Sequence, residues 1–225
     1  MKTVKAITAM LSGRLPRASC ARRAVALQVV PWTAAALAAF AATLGLFIWL
    51  KTVGPLPGDR WAVLRIRHHN VSAFLEFLGT MFSAIGLAPV AAATIAGLWA
   101  FVTARISRRA GFLLIFASAA PVLSSLLKLS LGPVPLDALA YSPSTAASFP
   151  SGHVAYATAL FGYTAVLACR HERRVACVCS IALVLMMGPV RVLSGTHLPS
   201  DVLGGYTIGF GWLALVLAAE CGQPA

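Results

Sequence analysis

Residues Val29–Leu50 read VVPWTAAALAAFAATLGLFIWL, a run of 22 residues without a charged side chain. A helix needs about 20 mainly apolar residues to cross the hydrocarbon core of a bilayer. The run is too long for the apolar region of a secretory signal peptide, so we interpret it as an uncleaved transmembrane helix that follows a basic leader. This stretch predicts a membrane protein.

Five more apolar stretches follow along the chain, and together they predict an all-α, polytopic membrane fold with about six transmembrane helices. The fourth and fifth are short and would need tilt or flanking residues. We expect a basic leader over residues 1–28, one domain over 29–220 and a short tail over 221–225. The predicted spans are Val29–Leu50, Val71–Val102, Gly111–Leu131, Val154–Cys169, Val175–Val192 and Val202–Ala219.

The composition supports this class of protein and excludes others. The 225 residues are 59% hydrophobic and 11% charged, whereas soluble domains are about half apolar and a quarter charged. Disordered, collagen-like and disulfide-scaffold chains are excluded. Only six residues are Asp or Glu, and a site of clustered carboxylates around metal ions is hard to build from so few. We therefore expect no metal and no cofactor.

The net charge of +12 is explained better by membrane topology than by nucleic acid, because the basic residues separate apolar runs instead of forming one patch. They fall in alternate loops, so the positive-inside rule predicts that those loops and both termini are cytoplasmic. These residues are Lys2, Lys5, Arg14, Arg17, Arg22 and Arg23 before the first span, Arg105, Arg108 and Arg109 after the second, and Arg170, Arg173 and Arg174 after the fourth.

The first outer loop, Lys51–Asn70, departs from this rule because it holds four basic residues. Within it, Asp59-Arg60-Trp61 followed by Leu64 and Ile66 predicts an amphipathic stretch in the membrane interface.

The cysteines predict neither a zinc site nor a disulfide framework. Their number is odd and none form a CxxC pair, so we expect them to be small apolar fillers. They are Cys20, Cys169, Cys177, Cys179 and Cys221.

Pro150-Ser151-Gly152-His153 opens the fourth span on the predicted outer side. Pro and a Ser cap at a helix start, with Gly allowing close approach, leave backbone N–H groups that suit an anion such as phosphate. His153 could donate a proton to a leaving oxygen of that anion. The alternative is a capped helix with a histidine at the interface.

A second polar group, Arg191, His197 and Asp201, falls on the same predicted face. Pro199 suits a helix start that would let Asp201 reach back to His197. A carboxylate on one imidazole nitrogen presents the other as a nucleophile or base, and the guanidinium suits phosphate oxygens. The alternative is an ordinary ion pair of Arg191 with Asp201.

Lys128 lies late in the third span, where a charge is costly unless it faces a cavity or reaches the surface. The neighbouring motifs favour a phosphate partner over simple exposure at the membrane surface.

These residues resemble the type 2 phosphatidic acid phosphatase family of integral membrane phosphatases, related to the vanadium haloperoxidases. Its second motif is complete as Pro150-Ser151-Gly152-His153. The third has Arg191, His197 and Asp201 at the family's spacing, with Val190 in place of its Ser, and Gly204-Gly205 follows as in family members. The first motif keeps Lys128, but Pro135-Leu136 stands where the family has Arg-Pro, and Pro133 where many members have Arg.

The resemblance implies a site at the outer ends of the third to sixth spans and a phosphohistidine mechanism without a metal. His197 would attack phosphorus, Asp201 would stabilise its imidazolium, and His153 would protonate the leaving group. Lys128, Ser151, Gly152 and Arg191 would hold the phosphate oxygens. The substrate would be a lipid phosphate or diphosphate at the outer leaflet.

The missing first-motif Arg predicts a slower reaction or a different substrate, because a cation on transferring phosphoryl oxygens stabilises the transition state by a few kcal/mol. Arg60, Arg65 or Arg67 of the first outer loop are candidates to replace it. Two alternatives stay open: a lipid phosphotransferase, and a non-catalytic member that binds lipid phosphate.

Overall fold

The computed structural model describes residues 17–68, 73–86, 88–131 and 149–222, and within these ranges the chain is helical, with no strand. This confirms the all-α prediction. The helices are α1 (Arg17–Thr52), α2 (Pro57–His68), α3 (Ala73–Ile85), α4 (Ala88–Arg105), α5 (Arg108–Ala117), α6 (Ala120–Leu131), α7 (Gly152–Arg170), α8 (Arg174–Leu193) and α9 (Pro199–Cys221).

Six helical segments of the described chain are long and apolar enough to cross a membrane, as predicted. They are Val29–Thr52, Ala88–Arg105, Arg108–Ser130, Gly152–Arg170, Arg174–Leu193 and Pro199–Cys221. The first belongs to α1, which already begins at Arg17 inside the predicted leader.

The second predicted span, Val71–Val102, is wrong as a single helix. The structure divides it into α3 and α4 at Gly86, whose N–H donates to the carbonyl of Ser83, three residues back, at 3.1 Å. Only α4 is long enough to span. Hydropathy joined the two helices because the chain is mainly apolar on both sides of Gly86, and Gly86 and Pro89 were the signs of a turn within it.

The third span is also interrupted, at Ser118-Ala119, between α5 and α6. Proline has no N–H to donate within a helix, and Pro121 follows the break directly. The next N–H, that of Val122, donates to the carbonyl of Ala119, three residues back, at 2.9 Å. The chain then continues as α6 and carries Lys128 near its end.

Helix α7 forms the centre of the molecule, and α9 packs against it through small residues. A Cβ built at Gly205 would lie 2.7 Å from the Ser151 carbonyl oxygen, and one at Gly209 would lie 2.8 Å from the Ala155 carbonyl oxygen. Glycine pairs at this spacing let membrane helices approach closely. The contact fixes the start of α7 against α9.

Helix α8 contains Pro189, which frees a carbonyl one turn earlier. The Tyr206 hydroxyl from α9 lies 2.9 Å from the Val184 carbonyl and 3.3 Å from that of Leu185. It also accepts the Gly188 N–H at 3.2 Å. Tyr206 thereby satisfies the backbone around the proline, two residues before Arg191.

The expectation for the cysteines is wrong for one pair. A disulfide joins Cys169, at the end of α7, to Cys177, at the start of α8, with their Cα atoms 5.5 Å apart. The short connection between two adjacent helices brings these residues together, which CxxC spacing and an odd total do not show. Cys179 is a free, exposed cysteine, so it is not a core filler either.

Helix α2 confirms that the Asp59–Leu64 stretch is helical and two-sided. Trp61 and Leu64 are exposed, while Ala62 and Val63 are buried. Its position in the membrane interface stays a prediction. Asp59, however, is buried against the start of α9 and is not part of the exposed polar face.

Candidate active site

A cavity of about 590 Å³ opens where the end of α6, the start of α7 and the end of α8 meet the start of α9, and the α3–α4 region closes one side. It brings together five of the seven predicted site residues. The lining residues are Gly86, Ala91, Ile95, Ser118, Pro121, Lys128, Gly152, His153, Tyr156, Arg191, Thr196 and His197. The other two, Ser151 and Asp201, lie directly behind this lining.

His197 and Asp201 form the predicted pair, four residues apart. The Nδ1 atom of His197 lies 3.3 Å from Oδ2 of Asp201, and both side chains are buried. Because a carboxylate only accepts, Nδ1 carries the proton and Nε2 keeps a lone pair. Asp201 also accepts the Leu198 N–H at 3.0 Å, as the third residue of α9.

The loop of Pro150 and Ser151 is held from two sides. The Ser151 N–H donates to the Asp201 carbonyl at 2.9 Å, and the Ser124 hydroxyl of α6 donates to the Pro150 carbonyl at 2.7 Å. These bonds join the two histidine-bearing motifs through their backbones.

Ser151 does not cap α7 with its side chain, contrary to the sequence interpretation. It occupies the capping position, but its hydroxyl makes no cap hydrogen bond. The oxygen is buried and has no partner in the described part of the chain. A buried hydroxyl without a partner is costly, so this atom suits a ligand oxygen.

Arg191 is buried at the end of α8. Its Nη1 donates to the Ser83 hydroxyl of α3, while its Nε has no partner among the described residues. Its carbonyl accepts the N–H groups of Thr196 and His197 at 3.2 and 3.1 Å. The same residue thus closes the turn that carries His197 and leaves a guanidinium N–H for a ligand.

His153 faces α3 across the cavity. Its Nε2 lies 3.3 Å from the Ser83 carbonyl oxygen, which can only accept, so Nε2 is a protonated position. A Cβ built at Gly86 would collide with the His153 ring. The turn between α3 and α4 therefore needs glycine to leave room for the imidazole.

Lys128 and Arg191 are the cations that line the cavity in the described ranges. The first-motif positions Pro133, Pro135 and Leu136 lie outside the described residues. Of the proposed replacements, Arg60 is exposed and does not line the cavity. The side chains of Arg65 and Arg67 lie outside the described ones.

Sequence reasoning missed three residues around the site. Ser83 contacts both His153 and Arg191, Gly86 makes room for His153, and Asp59 binds the start of α9. The apolar pattern gives no sign of Ser83. A glycine within a predicted span and an acid in a chain with so few of them were available signals for the other two.

Comparison with known proteins settles the family. The family model described as the PAP2 superfamily matches residues 88–220, more than half of the chain and all the described helices that line the cavity except α3. The chain belongs to the PAP2 superfamily. This confirms the resemblance to the type 2 phosphatidic acid phosphatases.

Two curated relatives of this PAP2 chain are called lipid A 1-phosphatase. The protein of Rhizobium etli is 41% identical over 78 residues, which are 33% of this chain and 31% of the relative. That of Rhizobium johnstonii is 39% identical over 77 residues, 33% of this chain and 30% of the relative. The match spans about a third of the length of these relatives.

A solved structure is similar over most of the chain. It is the transmembrane PAP2-type phosphatidylglycerolphosphate phosphatase from Bacillus subtilis, with a TM-score of 0.67 and 20% identity. The match covers 82% of this chain and 95% of the other. It shows the fold, and with the six apolar helices it identifies an integral, multi-pass membrane protein.

Proposed function

We propose that this PAP2 protein is a membrane lipid phosphatase that works through a phosphohistidine without a metal. The observation that carries the proposal is the His197–Asp201 pair in a cavity that His153, Arg191 and Lys128 also line. The names of the relatives, lipid A 1-phosphatase and phosphatidylglycerolphosphate phosphatase, support a lipid phosphate as substrate.

In the first step, Nε2 of His197 attacks phosphorus and the bond from phosphorus to the lipid oxygen breaks. Asp201 holds the Nδ1 proton and stabilises the positive charge that develops on the imidazole. His153, which enters this step as the imidazolium, gives its Nε2 proton to the departing oxygen and becomes neutral. The products are a lipid alcohol and a phosphoryl group on His197.

In the second step, water attacks the phosphohistidine and His153, now neutral, takes a proton from that water. The bond from phosphorus to nitrogen breaks, inorganic phosphate leaves and His197 regains its lone pair. Each residue returns to its starting protonation state, so the cycle needs no further reactant.

The phosphoryl oxygens need compensation for their charge through both steps. Arg191 offers its unpartnered Nε, Ser151 its unpartnered hydroxyl and Lys128 its ammonium, while Gly152 begins α7 at the cavity. Fixed donors of this kind stabilise charge where it develops in the transition state. In the described ranges, no three His, Cys, Asp or Glu side chains come together as metal ligands.

We also propose that the site faces the outer leaflet and that both termini are cytoplasmic. Arg109 and Arg170 lie at the opposite end of the bundle, where both contact Glu220 or its neighbour at the end of α9. The positive-inside rule supports a cytoplasmic position for this end.

The test is phosphate release by the purified protein from lipid A, phosphatidylglycerophosphate, phosphatidate and an isoprenyl diphosphate, with a chelator present. We expect release from at least one lipid, and His197→Ala should reduce it to background. Arg60→Ala, at an exposed residue outside the cavity, serves as the control. Equal rates for His197→Ala and the parent would overturn the proposal.

Two alternatives stay open, and the departure at Pro135 favours the second, a non-catalytic binder. A phosphotransferase would pass the phosphoryl group to an acceptor other than water and yield a phosphorylated product. A non-catalytic lipid-phosphate binder would form no phosphoenzyme. Trapping labelled phosphoryl on His197 during turnover, and following where the label goes, separates both from a phosphatase.

A further inference from the structure

Asp59 is a fully buried carboxylate that no step of the proposed reaction uses. Its Oδ2 accepts the Leu56 N–H at 2.9 Å, which closes the first turn of its own helix, α2. Its Oδ1 accepts the Ser200 N–H at 2.8 Å, from a residue 141 positions later in the chain. One carboxylate therefore ties α2 to the first turn of α9.

The first turn of α9 is where the proposed nucleophile is held. The first N–H groups of a helix have no partner within the helix. Here Asp201 takes the Leu198 N–H and Asp59 takes that of Ser200, and carboxylates also interact well with the positive end of the helix dipole. Ser200 stands between His197 and Asp201, so the bond from Asp59 acts on the segment that joins them.

The first turn of α2 also packs on this segment. A Cβ built at Gly58 would lie 3.7 Å from Cβ of Pro199, the first residue of α9. From the same turn, the Asp201 carbonyl accepts the Ser151 N–H. A displacement at Ser200 would therefore reach both the histidine pair and the loop of Pro150 and Ser151, the proposed phosphate-binding loop.

Holding an acid at this position is costly, which argues against an incidental contact. Burial raises the pKa of Asp59 above its usual value, while the N–H groups of Ser200 and Leu56 act in the opposite direction. The chain has only six acidic residues. An apolar side chain at a site that needed packing alone would avoid the cost of burying a carboxylate.

We propose that Asp59 is a positioning residue, which holds the start of α9 so that His197 and Asp201 keep their alignment with the phosphate-binding loop. This inference rests on the proposed phosphatase function. Asp59 touches neither substrate nor the reacting atoms. It acts through the Ser200 N–H.

The experiment compares Asp59→Leu and Asp59→Asn with the parent. Leucine fills the space without an acceptor, whereas asparagine keeps one oxygen for the Ser200 N–H. Because small misplacements of reacting groups cost up to about a hundredfold in rate, we expect Asp59→Leu to lower kcat at least about tenfold, with KM changed less than about twofold. Asp59→Asn should recover most of that loss, and Arg60→Ala should match the parent.

A purely structural role would lower Tm but would not lower kcat in the leucine variant and restore it in the asparagine variant. We therefore express kcat per folded protein and measure Tm on the same samples. Parent kcat in folded Asp59→Leu, or equal losses in the leucine and asparagine variants, would overturn the inference. If Asp59→Leu does not fold, Asp59→Glu decides. It keeps the charge but moves the carboxylate by one methylene, and parent kcat in that variant would overturn the inference too.

Orthovanadate binding, measured by calorimetry, separates this inference from the proposed function. Bound to His197, vanadate mimics the five-coordinate phosphorus of the transition state, so its affinity follows kcat and not KM. The parent should bind vanadate and His197→Ala should not. Asp59→Leu should bind it about tenfold more weakly, by the same displacement of donors. Parent-like vanadate affinity in Asp59→Leu counts against Asp59 as a positioning residue. Vanadate binding by a parent that releases no phosphate counts against the phosphatase alone.

Discussion

At Gly86, a side chain of any kind would enter the space of the His153 imidazole. The Ser83 carbonyl oxygen lies 3.3 Å from Nε2 of this ring and holds it there. Ser83 lies in the last turn of α3, and Gly86 follows the end of that helix. The position of the proposed proton donor therefore depends on the absence of a single methyl group.

We predict that Gly86→Ala lowers kcat on lipid phosphates about ten- to a hundredfold, because general acid catalysis contributes about that much or more and needs the donor in place. With p-nitrophenyl phosphate the loss should be smaller, since its leaving group needs no proton. Steady-state phosphate release on both substrates is the measurement.

Gly97→Ala is the matched control, because a Cβ at Gly97 in α4 meets nothing within 4 Å. It should leave both rates unchanged. The comparison uses kcat/KM, which reports the first step and not the hydrolysis of the phosphohistidine. If Gly86→Ala lost the same factor in kcat/KM on both substrates, His153 would not be acting as the acid for the leaving group.

How far the sequence could predict the site differs from residue to residue. His153, Arg191, His197 and Asp201 stand out because charged or titratable residues are costly near a membrane and are spaced as helix starts and ends require. Ser83 and Gly86 lie in a mainly apolar stretch, and only the fold of α3 against α8 brings them to the site. A glycine within a predicted span could be noticed, but the contacts of both residues are tertiary, so no local pattern contains them.

At the scale of elements, the contact between α7 and α9 depends on Gly205 and Gly209. Backbone carbonyl oxygens at the start of α7 would crowd Cβ atoms built at these glycines, at 2.7 Å for Ser151, which precedes the helix, and 2.8 Å for Ala155. A carbonyl in a helix cannot move aside as a flexible side chain can. Any larger residue must therefore push the two helices apart.

We predict that Gly205→Ala and Gly209→Ala each destabilise the fold by about 1–3 kcal/mol, the usual cost of overpacking. Gly205→Ala should also weaken vanadate binding, because it displaces Ser151. Thermal unfolding in detergent measures the first effect and calorimetry the second.

Gly45→Ala, in α1, is the control for this pair, since nothing lies within 4 Å of a Cβ there. Alanine favours the helix over glycine, so its Tm should equal or exceed that of the parent. An unchanged Tm in both Gly205→Ala and Gly209→Ala would mean that α7 and α9 can accommodate a methyl group at their contact.

Helix content and span number follow from hydropathy, because lipid allows only long apolar helices with satisfied backbones. The breaks at Gly86 and Ser118 do not follow from hydropathy, since the chain is mainly apolar on both sides of each. Gly86 and Pro121 mark them only as residues that disfavour a continuous helix. The Cys169–Cys177 disulfide also depends on how two helices meet. Sequence patterns thus predict the features that the lipid environment requires, which are helix content and span number. They miss the features that depend on contacts between neighbouring helices.

At the scale of the whole molecule, the two ends of the bundle differ in chemistry. One end holds the cavity with its histidines. The other holds Arg109, which donates to the carbonyls of Ala219 and Glu220, and Arg170, whose Nη1 lies 2.7 Å from the Glu220 carboxylate. The disulfide of Cys169 belongs to this second end.

We predict that the arginine-rich end is cytoplasmic. With the native cysteines replaced, a cysteine at Arg60 should react with a membrane-impermeant maleimide in intact cells, and one at Arg108 should react only after lysis. Labelling of Arg108→Cys in intact cells would invert the orientation and put the cavity on the cytoplasmic side, where it would meet inner-leaflet lipids.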